Sequence, residues 1–575
     1  MNLFLDYQKK IFKSLKLLEK RKKIKFPPKI QNFNVDLPPK NQKAHLACNA
    51  AMILAKYNNI SPNILAETLK KHLLFTFKEF STIEIAGPGF LNISFNSLFW
   101  KRYLEKIIKL KNKYGFYKSN KKKYNIEFVS ANPTGPLHVG HCRGAVLGDT
   151  LSNLLAFNGN IITKEYYVND YGGQIKIFVD SIYHRILEIL NKTPFPENKN
   201  LYPGDYIIDI AKNIIKKKNI KNYKNYKKIY NKLMLASLKL SMNIIIGNLN
   251  LLGIKHNNFV YESNLIKKKC VLKTIKKLKK KNYIYEGKLS PPKGEQTQEW
   301  KTRKQLLFKS TIFGDDTDRS LQKADGTWTY FAADMAYHSD KISRKYDVLI
   351  NILGADHAGY IKRIVSATKA ISDNKINLLC KVSQLVKLYK KGLPFKMSKR
   401  KGDYITVEDL IKEVGTDSVR FMMLNRSSDV ELDFDFEKVT EKSKENPVFY
   451  IQYAYARVNS IFRLLNLKLD DKIKIDQRDL DLNEYEIEIL KKISEWPKCV
   501  EISSTKLEPH RIPFYLYELV TLFHSYWNLG SANEEFRFII NNKVKSNLRL
   551  VILQALALVI KNGMLILGVS TPKSM

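Results

Sequence analysis

The spacing of apolar and polar residues divides the chain into three regions. In roughly the first hundred residues, helical spacing in MNLFLDYQKKIFKSLKLLEKRKK and NQKAHLACNAAMILAKYNN is followed by the strand-like stretch STIEIAGPGFLNISF. At Tyr124 the pattern becomes a strand, a Pro/Gly turn and a helix, which indicates the start of a nucleotide-binding α/β domain. From Asn446 onward, long amphipathic segments predominate and predict a helical bundle.

These regions predict an α/β fold, with a Rossmann-type parallel-sheet catalytic domain between an N-terminal α+β domain and a C-terminal all-helical bundle. At 575 residues the chain is too long for a single core. We place the N-terminal domain at residues 1–112, the α/β domain at 113–390, a loop and connecting region at 391–446, and the bundle at 447–575. A lysine-rich, mostly helical insertion is expected at about 176–300.

Neither end of the chain has the pattern of a membrane segment. The N-terminal segment predicts an amphipathic helix, because it lacks the long apolar stretch and the small-residue cleavage site of a signal peptide. The apolar run LRLVILQALALVI contains Gln554, is followed by Lys561, and is too short to span a bilayer, so we expect a buried helix. The five cysteines include no C-x-x-C pair, which argues against disulfides or zinc and fits a reducing cytosol.

The formal net charge of +43 predicts attraction to a polyanion, either nucleic acid or an anionic membrane surface. A second explanation is compositional. Lysine greatly outnumbers arginine, and Asn and Ile are abundant, as expected when an AT-rich genome biases codon usage. The charge therefore does not by itself establish RNA binding.

Two histidines, His138 and His141, stand at the predicted start of a helix, shortly after the predicted strand Tyr124–Ser130. A helix N-terminus presents free N–H groups and partial positive charge, so imidazoles there can donate hydrogen bonds to phosphate oxygens. Gly140, between them, leaves room for a flat ring against the backbone. A metal site would need a third ligand and usually i, i+4 spacing, and the chain contains no H-E-x-x-H.

A lysine-containing segment, LPFKMSKRKGDYIT, predicts a glycine-bounded loop whose cations can reach a triphosphate. Taken alone, such a cluster in a lysine-rich chain is more often a solvated face. Together with the histidine pair on an α/β framework, it resembles the HIGH and KMSKS signatures of class I aminoacyl-tRNA synthetases. The segment GADH after the strand DVLINIL resembles the ribose-binding turn of that class.

The resemblance to class I synthetases implies roles for particular residues. The HIGH motif corresponds to Ala131, Asn132, Pro133, Thr134, Gly135, Pro136, Leu137, His138, Val139, Gly140 and His141. Catalytic roles are implied for His138, His141, Lys396 and Lys399. ATP contacts are implied for His138, Gly140, His141, Gly354, Asp356, Met397 and Lys399. Arg400 follows Lys399 where the signature usually has serine, so the last contact of that loop is unassigned.

Within this class, the chain is similar to bacterial arginyl-tRNA synthetases along essentially its whole length. The similarity lies in IEFVSANPTGPLHVGH, VNDYGGQI, FGDDTDR, YFAADMAYHSDK, KMSKRKGDYIT, VRFMML and NPVFYIQYAYARV. The matching arginine site consists of Glu127, Asn132, Tyr330 and Asp334, with Asp170 and Gln174 in support. Where some family members have glutamine, this chain has Tyr360, which leaves that contact open.

The chemistry of arginine agrees with this set. A guanidinium is planar, permanently charged and has five donors, so its pocket needs carboxylates at fixed angles. Tyr330 and Asp334 are four apart and share one face if a helix starts there. Asp170 could instead be a surface charge or a helix cap. For Glu127 a structural explanation is weaker, because an unpaired carboxylate within an apolar strand is costly.

The resemblance also implies the reaction and the partners. Arginine is activated with ATP and Mg²⁺ to arginyl-adenylate and pyrophosphate, and is then transferred to the 2′-hydroxyl of the terminal adenosine of arginine tRNA. Activation is expected to require bound tRNA. We expect no structural metal, no editing domain and no membrane association, and a monomeric cytoplasmic enzyme. A site that fits a guanidinium leaves charges unpaired against lysine or citrulline, which makes editing unnecessary.

Contacts with tRNA are implied in both outer domains. In AGPGFLNISF the candidates are Phe90 and Asn92, which match the part of the family's first domain that meets the tRNA elbow. In the bundle, the anticodon-binding candidates are Tyr450, Tyr453, Arg457, Tyr526 or Trp527, and Met575. Core packing is the alternative for Phe90, and an aromatic stripe at helical spacing is also commonly a core feature.

Two other class I synthetases and a non-catalytic RNA-binding protein are alternatives, and each predicts different residues in the sequence. A cysteinyl enzyme needs zinc ligands, and a glutamyl enzyme needs arginine facing the substrate where this chain has Glu127 and Asp334. A non-catalytic RNA-binding relative should have lost its signatures, whereas His138, His141 and Lys399 are present.

Overall fold

In the computed structural model, the described residues are 1–39, 42–117, 120–218, 220, 222–289, 304–395, 405–476, 480–541 and 543–575. They form two compact units. One comprises Met1–Tyr117 together with Lys442–Met575, and the other comprises Lys118–Glu441.

The N-terminal part of the first unit is a helix-covered antiparallel sheet. Its helices are α1 Leu3–Lys20, α2 Ala50–Asn58, α3 Pro62–Thr76 and α4 Ser97–Leu110. Its strands are β1 Val35–Asp36, β2 Leu46–Cys48, β3 Phe80–Ala86 and β4 Phe90–Phe95, in the order β1-β2-β4-β3. The predicted amphipathic helix is confirmed as α1, whose Leu3, Ile11 and Leu15 are buried.

One local prediction in this part is wrong in detail. The segment NQKAHLACNAAMILAKYNN, predicted to be helical, contains β2 before α2, because Leu46–Cys48 pairs with β4. The stretch STIEIAGPGFLNISF, predicted to be strand-like, forms the two strands β3 and β4, which are joined as a hairpin. Its turn contains Gly87 and Gly89, with φ of 52° and 103°, a conformation that favours glycine.

The second unit contains the predicted α/β domain. Its helices are α5 Val139–Phe157, α6 Gly173–Asn191, α7 Asp205–Lys216, α8 Tyr226–Leu251, α9 Glu262–Lys267, α10 Cys270–Lys280, α11 Tyr330–Ser343, α12 Ile361–Ser372, α13 Val407–Val414, α14 Thr416–Met423 and α15 Phe436–Thr440. Its strands are β5 Lys123–Glu127, β6 Ile161–Val168, β7 Asn258–Tyr261, β8 Ile284–Gly287, β9 Gln305–Phe308, β10 Arg319–Ser320, β11 Val348–Gly354, β12 Asn377–Ser383, β13 Val386–Lys390, β14 Leu393–Pro394 and β15 Leu432–Asp435.

Five of these strands form a parallel sheet in the order β12-β11-β5-β6-β7. Strands β6 and β7 lie on one side of β5 in the sheet. The later strands β11 and β12 lie on the other side of β5. The strand order therefore reverses between β5 and β11. In such sheets, ligands bind in the crevice at the carboxyl ends of the two strands that flank this reversal.

The stretch predicted as a mostly helical insertion contains the helices α6, α7, α8, α9 and α10, but also two strands that were not predicted. Strand β7 is an edge strand of the parallel sheet, and β8 pairs with β9. Each of these strands has four residues, which is too few for an alternating pattern to be distinguished from a helical one. The predicted strand Tyr124–Ser130 also ends early, at Glu127, because Val129 and Ser130 have φ of 71° and 42°.

Close packing at a glycine brings α5 against the end of β5. A Cβ on Gly148 would lie 2.2 Å from the ring of Phe128, so any larger residue would push the helix away from the sheet. Farther along the helix toward its N-terminus, the buried Arg143 donates to the carbonyls of Gln384, Ser427 and Val430. These contacts fix the position of the helix N-terminus that carries the histidine pair.

The C-terminal part of the first unit is a helical bundle. Its elements are α16 Pro447–Leu464, α17 Glu484–Lys506, α18 Arg511–Ala532 and α19 Asn547–Leu567, with the short strands β16 Ile539–Ile540 and β17 Lys543–Val544. Helices α8 and α19 are long and apolar enough to cross a membrane by length and composition, but 83% of the apolar window of α19 is buried within the protein. The prediction of a buried helix is confirmed there.

Candidate active site

The two signature histidines cap helix α5 reciprocally. His138 is the N-cap, and its Nδ1 accepts a hydrogen bond from the amide of Gly140 at 3.1 Å. The Nδ1 of His141 accepts from the amide of His138 at 3.3 Å. Because both rings use Nδ1 as the acceptor, the proton of each neutral imidazole is on Nε2. Each ring can therefore act as a hydrogen-bond donor at Nε2.

His141 is uncharged at neutral pH. Burial lowers its pKa to about 3, and the adjacent His138, whose ring centroid is 3.9 Å away, adds to the shift. The predicted position in the first helical turn is close to the observed one, since helix α5 begins at Val139, one residue after His138. A neutral Nε2–H in a poorly solvated position is a strong donor for an oxyanion that forms during a reaction.

The space for a flat ring that was predicted beside Gly140 is present, but a side chain of the protein fills it. A Cβ on this residue would lie 2.8 Å from Cε1 of His138, so the ring that occupies the space is that of His138 itself. The glycine thus permits the capping geometry that sets the orientation of the imidazole.

We expect Gly140→Ala to slow adenylate formation by about tenfold or more, because the displaced His138 ring no longer presents Nε2 to the phosphate. Tm should not fall, since alanine favours a helix. Gly144→Ala on the same helix is the control, because its Cβ would have no neighbour closer than 3.9 Å. Equal rates for the two variants in tRNA-dependent pyrophosphate exchange would contradict this function of Gly140.

The loop before the histidines is fixed by side chains that the sequence pattern did not single out. Tyr166 and Tyr206 donate to the carbonyls of Ala131 and Thr134 at 2.8 and 2.9 Å, and Asn248 accepts from the amide of Leu137 at 3.0 Å. The remaining motif residues, Pro133, Gly135 and Pro136, lie within the loop that these bonds anchor.

The loop also pairs with the chain that follows the second signature. The amide of Val139 donates to the carbonyl of Ile405, and that of Val407 donates to the carbonyl of Leu137, at 3.1 and 2.9 Å. The predicted residues Lys396, Met397, Lys399 and Arg400 lie outside the described residues.

The predicted ribose-binding turn lies at the carboxyl end of β11, beside β5 in the sheet. Asp356 is largely exposed, with 79% of its side chain accessible. A Cβ on Gly354 would lie 2.5 Å from Oδ1 of this carboxylate. Glycine therefore lets the carboxylate fold back over the strand end, where its oxygens can accept hydrogen bonds from a ribose.

Glu127, at the end of β5, already has partners for both oxygens. Oε1 accepts from the hydroxyl of Ser130 at 3.0 Å, and Oε2 accepts from the ammonium of Lys341 at 2.5 Å. No sequence pattern distinguishes Lys341. In YFAADMAYHSDK it looks like one more lysine on the solvated side of a helix.

Asp334 lies one helical turn after Tyr330 in α11, as the four-residue spacing predicts. The hydroxyl of Tyr360 donates to its Oδ2 at 2.5 Å. Burial raises the pKa of Asp334 to about 7; the Tyr360 hydrogen bond opposes the shift and the charge of Glu127 adds to it. Tyr330 is 73% exposed, so it lies at the mouth of the pocket rather than against Asp334.

A further carboxylate, Glu262, belongs to this pocket. Burial raises its pKa to about 7, and the charges of Asp334 and Asp170 add to the shift. Among the described residues, neither Glu262 nor Asp334 has a lysine or arginine within ion-pair distance. Glu262 follows β7 directly, at the carboxyl end of the sheet, so recognising β7 in the sequence would have identified it.

Asp170 and Gln174 support the site without lying at its centre. Asp170 accepts from the amide and the hydroxyl of Ser263, at 2.8 and 2.6 Å, and so braces the start of α9 that carries Glu262. The structure therefore shows the helix-cap alternative for Asp170. Gln174 accepts from the amide of Asn132 at 2.6 Å, and both residues are exposed at the mouth.

An aromatic cluster in the helical bundle contains most of the predicted anticodon contacts. The guanidinium of Arg457 lies 4.2 Å from the ring centroid of Tyr453 and 5.0 Å from that of Trp527. Tyr450, Tyr453, Arg457 and Trp527 are all partly exposed, and Met575 is 57% exposed. Together these side chains present π faces and a cation that nucleotide bases can contact.

Two predicted RNA contacts are wrong, because their side chains are buried. Tyr526 is fully buried and donates to Glu486 at 2.8 Å, so of the two adjacent candidates Trp527 faces outward. Asn92 is 2% exposed and donates to Gln42 at 3.3 Å. Phe90, at the start of the same strand, is 36% exposed and stays a candidate.

Three family models match the chain. Residues 6–95 match the arginyl tRNA synthetase N-terminal domain, residues 103–462 the class I tRNA synthetase (R) catalytic domain, and residues 451–575 the DALR anticodon binding domain.

Individual proteins match over the full length. The arginine–tRNA ligases of Pelagibacter ubique and Bartonella bacilliformis are 53% and 43% identical, each covering 100% of both chains. The solved structure of Thermus thermophilus arginyl-tRNA synthetase shares the fold, with a TM-score of 0.70 at 18% identity, and covers 100% of both chains. The chain belongs to the arginyl-tRNA synthetase family of class I aminoacyl-tRNA synthetases.

Proposed function

We propose that this arginine–tRNA ligase carries out both of its reaction steps in the crevice between the carboxyl ends of β5 and β11. The observation that carries this assignment is the arrangement of the charged groups. Two carboxylates with raised pKa, Asp334 and Glu262, lie in the same unit as His138 and His141, whose imidazoles cap a helix N-terminus. The two carboxylates can bind a guanidinium, and the two imidazoles can donate hydrogen bonds to a triphosphate.

In the first step, the carboxylate of arginine attacks the α-phosphate of ATP, and pyrophosphate leaves. Negative charge grows on the phosphate oxygens in the transition state. The Nε2–H groups of His138 and His141 donate hydrogen bonds to these oxygens, and Lys396 and Lys399 supply positive charge. Mg²⁺ enters with ATP as part of the substrate. Among the described residues, no group of three or more acidic, histidine or cysteine side chains could hold a resident metal.

In the second step, the 2′-hydroxyl of the terminal adenosine attacks the carbonyl carbon of the adenylate and AMP leaves. The outward-facing aromatic cluster of the bundle and Phe90 supply contacts with parts of the tRNA other than its terminal adenosine. We propose that the enzyme is monomeric and cytoplasmic.

Specificity comes from the fixed charge and shape of the guanidinium. Asp334 and Glu262 are costly to ionise in the unliganded pocket, and a permanently charged, planar group with several donors relieves that cost. Citrulline has the same shape but no charge, and lysine has the charge on a single atom. Neither can satisfy both carboxylates, so both should be rejected steeply.

The experiment that tests this function is ATP–pyrophosphate exchange with arginine, citrulline or lysine, in the presence of tRNA. Exchange should depend on arginine and be lower by at least about a hundredfold with the other two. Exchange that proceeds equally well with citrulline would contradict the assignment of the carboxylates to the guanidinium.

We expect Arg457→Ala to raise the KM for tRNA about five- to thirtyfold and to leave the KM for arginine unchanged, because a base loses about 1–2 kcal/mol of stacking and cation–π contact. Arg463→Ala is the matched control on the same helix, since its guanidinium donates to the carbonyl of Lys573 rather than lying in the cluster. Similar tRNA KM values for the two variants would place the anticodon elsewhere.

A further inference from the structure

Lys341 is a buried cation whose carboxylate partner belongs to the arginine site. Its side chain is fully buried in α11. Besides the contact with Glu127, its ammonium donates to Oδ1 of Asn351 at 3.0 Å and lies 4.5 Å from the ring centroid of Tyr337. A buried ammonium is stable only when it is paired and hydrogen-bonded, and these three partners meet that demand.

The hydrogen-bond partners of Lys341 also link Glu127 to the helix that carries Asp334. Asn351 lies in β11 directly opposite Glu127 in the sheet, and its amide contacts Nε2 of His338 at 3.0 Å. The other ring nitrogen of His338 contacts the backbone carbonyl of Asp334 at 2.9 Å. A continuous buried chain of side chains therefore runs from Glu127 to the helical turn that carries Asp334.

The acidic groups of the arginine site are of two kinds: Glu127 forms an ion pair with a lysine, and within the described part of the chain the others do not. Glu127 is neutralised by a resident cation and is held in one orientation by Lys341 and Ser130. Among the described residues, Asp334 and Glu262 form no ion pair with a lysine or arginine, although the charge of Lys341 also lowers the pKa of Asp334. A guanidinium that enters the pocket is therefore attracted to Asp334 and Glu262 rather than to Glu127.

We propose that Lys341 is a positioning and specificity residue for arginine: it pairs with Glu127 and holds it in one orientation, and so directs the guanidinium to Asp334 and Glu262. The proposal rests on the proposed function of this site. It differs from a purely structural role, in which the Lys341–Glu127 pair only stabilises the packing of α11 on the sheet.

The test is a double-mutant cycle in the full-length protein with Lys341→Met, Glu127→Gln and the combined variant. KM values for arginine and ATP are measured by tRNA-dependent pyrophosphate exchange. Lys341→Met should raise the arginine KM at least about tenfold and change the ATP KM less than about twofold. In the Glu127→Gln background, the same substitution should have little further effect, because the charge that Lys341 positions is gone.

Arg344→Met is the matched control, since Arg344 lies just beyond the end of the same helix and forms a buried ion pair with Glu165. It should lower Tm without changing the ratio of the arginine KM to the ATP KM. If Lys341→Met does not fold, Asn351→Ala can replace it, because this substitution removes one partner of the ammonium. It should also raise the arginine KM, by a smaller factor than the one expected for Lys341→Met.

Independent, multiplicative effects of Lys341→Met and Glu127→Gln would overturn the proposal, as would an unchanged arginine KM in Lys341→Met. A parallel change of both KM values in Lys341→Met and Arg344→Met would show a structural role only. Absence of arginine-dependent exchange in the unmodified enzyme would instead count against the proposed function itself.

Discussion

His141→Ala should lower the rate of arginyl-adenylate formation by about a hundredfold or more. The substitution removes a neutral Nε2–H donor at the N-terminus of α5, and such a donor contributes roughly 3 kcal/mol to the stabilisation of a developing oxyanion. Arginine binding should change little, because the proposed function of the imidazole is to donate to the phosphates and not to contact the guanidinium. The measurement is tRNA-dependent pyrophosphate exchange at saturating arginine and ATP.

His184→Ala is a suitable control, because His184 lies on α6 among aromatic side chains such as Phe195 and not at the helix N-terminus. His141 also accepts the amide of His138 in the reciprocal cap, so Tm should be recorded for both variants. A normal exchange rate in folded His141→Ala would refute its assignment to the ATP site.

Asp334→Asn should weaken arginine binding by roughly ten- to a hundredfold, or about 1.5–3 kcal/mol, because it replaces a charge-assisted pair with a neutral one. ATP binding should be spared. The preference for arginine over citrulline should shrink, since a neutral ureido group loses less when the opposing charge is removed. Equilibrium binding of the three ligands to the variant measures each effect separately.

The same residue predicts a dependence on pH. Only ionised Asp334 forms a charged pair with the guanidinium, and burial raises its pKa to about 7 in the unliganded protein. Arginine binding should therefore tighten as the pH rises from about 6 to 8, by up to about tenfold per pH unit below the pKa for each group that must ionise. The pKa of Glu262 is also raised to about 7. Asp334→Asn should therefore reduce the pH dependence of arginine binding, and the double variant Asp334→Asn, Glu262→Gln should abolish it.

Stability should respond in the opposite sense. Because the pKa of Asp334 is about 7 in the folded protein and near its ordinary lower value when unfolded, its contribution to stability is present at low pH and is lost as the pH rises through about 7. Asp334→Asn should thus raise the Tm of the unliganded protein at pH 8. A lowered Tm with parallel losses of arginine and ATP binding would show that Asp334 only braces α11.

Much of the architecture could be predicted from the sequence, because long periodic segments and signature loops determine it. The parallel-sheet domain between an antiparallel α+β part and a helical bundle is confirmed, and so is the buried helix α19. The exact domain boundaries stay predictions. The four-residue strand β7 was missed, because four residues carry too little periodicity, and Glu262 was missed with it.

The site residues that the sequence did not reveal are those whose function depends on what lies opposite them in space. Lys341 is one lysine among many, and only its burial against Glu127 distinguishes it. Tyr526 and Trp527 are adjacent, so they point in directions about 100° apart on a helix, and the sequence alone does not say which one faces the core. Tyr360, left open by the sequence comparison, turns out to donate to Asp334.

Attachment of arginine to tRNA by this protein can be measured by incubating the purified full-length enzyme with ATP, Mg²⁺ and total bacterial tRNA. Each standard amino acid is supplied separately in labelled form, and acid-precipitable label is counted. We expect that arginine alone is attached, and that the label is released by mild base, as expected of an ester at the terminal adenosine. Preferential attachment of any other amino acid, or none of arginine, would contradict it.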